Sequence, residues 1–158
     1  MTAEQIAVLL AGAPLFAGLD PELVLRVARY GDEARFAGDA LLARDGWPAD
    51  RFFVLLEGSV ALETRCADRA PLRVETLAAP ETVGWSWLMP PYHWHFDVRA
   101  LTPLRTVAIE AEALRVAMAA DPVFAGALLE PFAVVILRRL QSTRLRLLEA
   151  ASHPSTGP

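Results

Sequence analysis

Apolar spacing divides the chain into three stretches. In the first, Ile6, Leu9 and Leu10 line one face of a short helix that Gly12 and Pro14 stop. A second helix starts at Asp20, a capping residue; Pro21 suits its first position and Glu22 the positive end of its dipole. Leu23, Val27 and Tyr30 follow at helical spacing and Gly31 ends it. From Arg35 to about Ile109 the period drops to two. Phe52, Val54 and Leu56 alternate with Phe53, Leu55 and Glu57, Val60 and Leu62 with Ala61 and Glu63, and Leu72, Val74 and Thr76 do the same. Turn signals at Ala37-Gly38-Asp39, Asp45-Gly46, Glu57-Gly58 and Ala79-Pro80 separate the runs. Many short strands at such intervals predict a small barrel or roll, with Gly38, Gly46 and Gly58 at its tight turns.

After Ile109 the helical period returns. Ala111 to Ala120 is one helix, ended by Asp121-Pro122, and a longer one runs from about Val123 to Ala150. In it Leu129, Ala133, Ile136, Leu140, Thr143, Leu147 and Ala150 alternate spacings of four and three. That heptad seam predicts a homodimer through the long helix; packing of the same seam on the chain's own roll is the competing reading. Residues 1–150 read as one domain and 151–158 as a disordered tail.

Composition narrows the classes. A chain of 158 residues, 54% hydrophobic and 22% charged, is globular. A net charge of −4 argues against bulk electrostatic binding to nucleic acid or anionic lipid. The longest apolar run, Ala125 to Leu137, is broken by Glu130 and Pro131 and falls short of the roughly 18 residues a membrane helix needs. No basic-then-apolar leader opens the chain. The lone Cys66 allows neither an internal disulfide nor a cysteine metal cluster and reads as a loop thiol. A cytoplasmic setting is the expectation. With no lysine in the chain, a Gly-x-x-x-x-Gly-Lys phosphate loop is excluded.

The element order, with several local motifs, resembles the cyclic-nucleotide-binding domain of the Crp/Fnr regulators. The motifs are Pro14-Leu15-Phe16-Ala17-Gly18-Leu19-Asp20 at the opening, Phe36-Ala37-Gly38-Asp39 and Arg44-Asp45-Gly46 at the first turns, Phe52 to Val60 as signature strand and turn, and Arg138-Arg139-Leu140-Gln141-Ser142-Thr143 on the long helix. The resemblance covers about residues 6 to 150. It implies a mainly β fold: a jelly-roll-like β-roll with N-terminal helices and a long C-terminal helix that dimerises.

It also implies a ligand segment, from which this chain departs. Nucleotide-binding members carry Gly-Glu-Leu/Ile, a short helix and an Arg; the Glu accepts from the ribose hydroxyl and the Arg pairs with the cyclic phosphate. In the matching segment, Val83 to Ala100, Gly84 is kept but Trp85 replaces the Glu. The Arg position falls near His93 or Trp94, Pro90-Pro91 removes two N–H donors, and Arg99 matches a strand residue rather than the phosphate ligand. The remaining cation there is a titratable His93. Thr143 matches a nucleobase-contacting position, though it also lies on the seam.

Three of the four Trp, one of the two Tyr and two of the three His fall between Trp85 and Phe96. Gly84, Trp85, Ser86, Trp87, Tyr92, His93, Trp94, His95 and Thr143 are therefore the candidate ligand-binding residues, stacking on a planar molecule or docking a partner's side chain. The alternative is that these rings fill the roll. If the stretch is a strand, His93, His95 and Asp97 share one face, resembling half of a cupin metal site, but the only other histidine is His153. Haem on a single His is a weaker variant. The expectation is a non-enzymatic regulatory or sensory module with an altered pocket, acting through a partner protein. Ordinary cyclic AMP or cyclic GMP binding and a metal-dependent cupin-type enzyme are the alternatives, and no cofactor is otherwise expected. The family's regulators place a helix-turn-helix after the long helix; with the chain ending at Pro158, direct DNA binding is not expected.

Overall fold

The structure, a computed structural model, describes residues 1–152. Helix α1 (Ala3–Ala11) opens with a capping box: the Gln5 backbone N–H donates to Thr2 Oγ1 at 3.3 Å and the Thr2 N–H to Gln5 Oε1 at 2.8 Å. After a 3-10 turn at Pro14–Phe16, α2 (Pro21–Ala28) starts as expected, the Glu22 N–H donating to Asp20 Oδ1 at 2.9 Å. Tyr30 lies beyond it, and β1 (Gly31–Phe36) begins ahead of Arg35. The polar run Asp32, Glu33 and Arg35 hid this strand; its residues pair from Gly31↔Ile109 to Phe36↔Leu104.

Seven further strands follow: β2 (Leu41–Ala43), β3 (Arg51–Glu57), β4 (Ser59–Cys66), β5 (Arg69–Ala78), β6 (Thr82–Val83), β7 (Asp97–Ala100) and β8 (Leu104–Glu110). They form two four-stranded antiparallel sheets, ordered β1-β8-β3-β6 and β2-β7-β4-β5. Four consecutive residues of β3, Phe52 to Leu55, are buried because both faces of that strand are covered. Phe53 meets Phe36 and Trp94, while Phe52 meets Trp87 and Phe132. The β3–β4 turn requires glycine: Gly58 has φ +91°, and a Cβ there would lie 2.5 Å from the Pro103 carbonyl oxygen. At the first roll turn the left-handed residue is Asp39 (φ 70°) rather than Gly38.

Helix α3 (Ala111–Ala120) has its expected bounds, and α4 spans Pro122–Ser152 with Pro131 inside it. The face of α4 on the roll is Phe124, Leu128, Phe132, Val135 and Arg139, not the heptad seam. Leu129, Ala133, Leu140, Thr143, Leu147 and Ala150 are exposed and Ile136 is half-buried, so the seam is not covered by the roll among the described residues. Every residue from Gln141 to Ser152 is exposed. No helix among the described residues is long and apolar enough to cross a membrane. The tail reading lies outside the described residues from 153 onward.

Candidate functional site

The segment after β6 folds inward because its backbone is tied to the loop after β2. The Gly46 N–H donates to the Trp94 carbonyl at 2.8 Å, the Trp94 N–H to the Trp47 carbonyl at 2.9 Å, and the Ala49 N–H to the Tyr92 carbonyl at 2.7 Å. Tyr92 takes φ 58°, a costly value for a ring-bearing residue. Its ring lies 4.1 Å from the Arg115 guanidinium of α3, which also donates to the Trp87 carbonyl at 2.9 Å. Arg115 is thus a clamp on the segment, and its place on a short amphipathic helix offered no signal of that role.

Three tryptophans of the segment have three different surroundings. Trp87 is 1% exposed, stacked on Phe52 at 4.8 Å and edge-on to Phe132 at 5.3 Å, with its indole N–H unpartnered. Trp94 is 6% exposed and lies inside the roll, 6.4 Å from the Phe53 ring. Its ring rests directly on Gly84, where an added Cβ would come 2.5 Å from Trp94 Cη2, and Gly84 has φ +101°. Trp85 is half-buried and faces α4, with the Arg139 guanidinium 4.8 Å from its ring centroid.

Arg139 was read from the sequence only as part of a helix motif. It is 8% exposed, donates to the Thr82 carbonyl and stands 3.7 Å from Glu81 Oε2. Burial lowers its pKa from the ordinary arginine value, with Glu75 and Glu81 offsetting part of that loss. The one signal for it was its spacing of four from Val135, which puts it on the packed face of α4. The Thr82 hydroxyl beside it is buried without a partner.

Trp94, Arg139 and Phe96, with Gly84, Trp85 and Ser86, leave a cavity of about 20 Å³. That holds about one water, whereas small-molecule sites run to roughly 300–1,000 Å³. Of the candidate residues the fold therefore brings Gly84, Trp85, Ser86 and Trp94 together. Trp87 belongs to the layer between β3 and α4, and Tyr92 to the Arg115 clamp.

His93 and His95 are exposed and do not line the cavity. A His93 ring nitrogen lies 2.6 Å from the Pro91 carbonyl oxygen. The shared-face expectation fails because β7 begins only at Asp97, which is buried and accepts from the Asp45 N–H at 2.9 Å with Arg65 at 3.5 Å. Among the described residues no three His, Cys, Asp or Glu group to hold a metal; His153 is outside them. Thr143 is exposed and donates to the Arg139 carbonyl one turn back in its own helix, away from the cavity. Arg99 pairs with Glu63 at 2.8 Å and donates to the Asp39 carbonyl, so it forms an ion pair across the neighbouring strands β7 and β4.

Two antiparallel sheets closed into a roll, with a helix pair in front and a long helix across the mouth, define the cyclic-nucleotide-binding type of β-roll. The cyclic nucleotide-binding domain profile matches residues 33–121, and the chain belongs to that family. It is similar to a CRP-like cAMP-activated global transcriptional regulator of Mycobacterium tuberculosis, 23% identical over 141 residues. That match takes in 89% of this chain but 61% of the regulator's length. Among solved structures it is similar to a cyclic nucleotide-binding domain from Methylobacillus flagellatus KT, with a TM-score of 0.77 at 18% identity over 93% of this chain and 83% of that one. A regulatory subunit of a cAMP-independent protein kinase A from Trypanosoma brucei aligns with a TM-score of 0.70 at 20% identity, over 89% of this chain and 47% of the subunit. The last two likenesses speak to the fold alone.

Proposed function

We propose that this chain is a non-enzymatic regulatory module of the cyclic-nucleotide-binding family whose roll is filled by its own side chains rather than by a nucleotide. The cavity of about 20 Å³ between Gly84, Trp94 and Arg139 carries the reading. A nucleotide would have to displace a buried indole packed on Phe53 and a buried guanidinium held by Thr82. Of the two groups that hold the ligand in nucleotide-binding members, the ribose-binding carboxylate is replaced here by Trp85, and the phosphate-binding arginine position falls near an outward-facing His93 or the buried Trp94.

The module works as a homodimer and signals to a partner protein in the cytoplasm. The exposed seam through Leu129, Leu140 and Leu147 supports pairing with a second copy. A second exposed apolar row on α4, Val134, Leu137, Leu145 and Leu148, lies to one side of that seam and is left for the partner protein.

The test is calorimetric titration with cyclic AMP and cyclic GMP, using the unaltered chain and Trp85→Glu. No saturable heat from the unaltered chain is expected. Micromolar binding by it would overturn the reading and make this an ordinary nucleotide sensor.

A further inference from the structure

Trp47 is the one tryptophan outside the segment from Trp85 to Phe96, and it is 48% exposed. A single exposed ring on a loose loop would mean little, but this loop is tied down. The Trp47 N–H donates to the Arg44 carbonyl at 2.9 Å, and the Trp47 carbonyl accepts from the Trp94 N–H at the same distance. On either side, the Gly46 and Ala49 N–H groups donate to the Trp94 and Tyr92 carbonyls. The ring is therefore held out on a fixed backbone, with little ordering left for a ligand to impose.

Beside it is a hollow of about 240 Å³, lined by Phe36, Trp47, Phe53 and Trp94 and by Asp50 and Arg51. Phe36 meets Phe53 edge-on at 5.8 Å, and Phe53 lies 6.4 Å from Trp94 with the rings inclined by 28°, so three of the rings form one wall. Trp94 is the only residue this hollow shares with the small cavity at Gly84, and the two are separate spaces.

The chemistry of the hollow favours a cation. Among the described residues the Asp50 carboxylate has no ion pair, while the Arg51 guanidinium is drawn to Glu110 at 3.5 Å. Four aromatic rings add the negative potential of their faces. They offer no strong acceptors, so a primary ammonium would leave some of its three N–H donors unmet. A quaternary ammonium has no donors to satisfy and loses less on leaving water. The volume falls just under the usual small-molecule range of roughly 300–1,000 Å³, which selects a compact group.

We propose that the hollow beside Trp47 binds a compact quaternary ammonium compound, with its methyl groups against the rings and its charge offset by Asp50. The site lies apart from the filled interior of the roll and does not depend on what the Gly84 cavity holds.

Choline is the probe for the full chain. Its neutral isostere, with carbon in place of nitrogen, and ethanolamine, its primary-amine counterpart, are the controls. Calorimetry reads the affinity. The Trp47 indole N–H resonance, identified by its absence from Trp47→Ala, reads the place. Saturable choline binding that shifts this resonance is expected, with both controls weaker by about tenfold. Trp47→Ala should weaken choline by about tenfold and Asp50→Asn by about threefold; both residues are exposed, so neither change should disturb the fold. No saturable choline binding overturns the proposal. Either control binding as tightly as choline overturns it as well, since the hollow would then not select a quaternary cation. So does choline affinity that is unchanged in either variant, because the cation would then lie elsewhere.

Discussion

The two halves of α4 differ in composition and in fate, the first rich in Phe, Val and Ile and the second largely polar around three leucines. From Phe124 to Arg139 the helix presents Phe124, Leu128, Phe132, Val135 and Arg139 to the roll, all buried. From Gln141 to Ser152 nothing is buried, although Leu145, Leu147 and Leu148 are as apolar as anything in the first half. A helix segment of that length is marginal in water without a surface to lie on. The first half is therefore held to its own domain by packed side chains, whereas the second reaches it through Arg146, which pairs with Glu75 at 3.5 Å and donates to the Val74 carbonyl at 3.1 Å, and leaves its leucines open. The seam runs through both halves on a face turned away from the roll, exposed except at the half-buried Ile136, and is the surface proposed to pair with a second copy.

Substitutions in each half should separate cleanly. Phe132→Ala removes a ring wedged between Phe52 and Trp87 and should cost about 3–5 kcal/mol of unfolding free energy in a denaturant titration. A loss near zero would break the division. Leu147→Glu should leave monomer stability within about 0.5 kcal/mol and weaken self-association about a hundredfold by sedimentation, since it sets a charge in the seam. Equal association by the variant would remove the seam from the dimer.

Gly84→Ala sharpens the inner side. The new methyl would meet Trp94 at 2.5 Å on a backbone with positive φ, costing about 1–3 kcal/mol. Trp94→Leu should relieve the steric part of that cost when the two are combined, a coupling a double-mutant cycle reads directly.

The smallest effect lies at the joint where α4 begins. Asp121 is held below the ordinary carboxylate range, first by the hydrogen bond from Arg26 at 2.7 Å and then by the Phe124 N–H. A lowered folded-state pKa means that its contribution is full above the ordinary carboxylate pKa and fades as pH falls through the folded value. Asp121→Asn should therefore reduce stability at neutral pH and flatten the decline below about pH 4 in urea titrations across pH.

The roll was legible wherever strands alternated or ran apolar between glycine turns, as from Phe52 to Val60. It was not legible at β1, where both-sided polarity masked the pairing with β8. The aromatic segment was legible as unusual, but its geometry was not. Period-two spacing suggested one shared face for His93, His95 and Asp97, whereas loop hydrogen bonds to Gly46, Trp47 and Ala49 turn Trp94 inward and leave both histidines in solvent. Arg139 was invisible as a site residue because its meaning comes from contacts with Thr82 and Trp85, distant in sequence, and no local pattern records those.

The most direct measurement is a crystal structure of the unaltered chain grown with excess cyclic AMP. The expected result is the Trp94 indole against Gly84, Arg139 at the mouth, and no nucleotide in the roll. A nucleotide lying between Gly84 and α4, with Trp94 swung out, would contradict it.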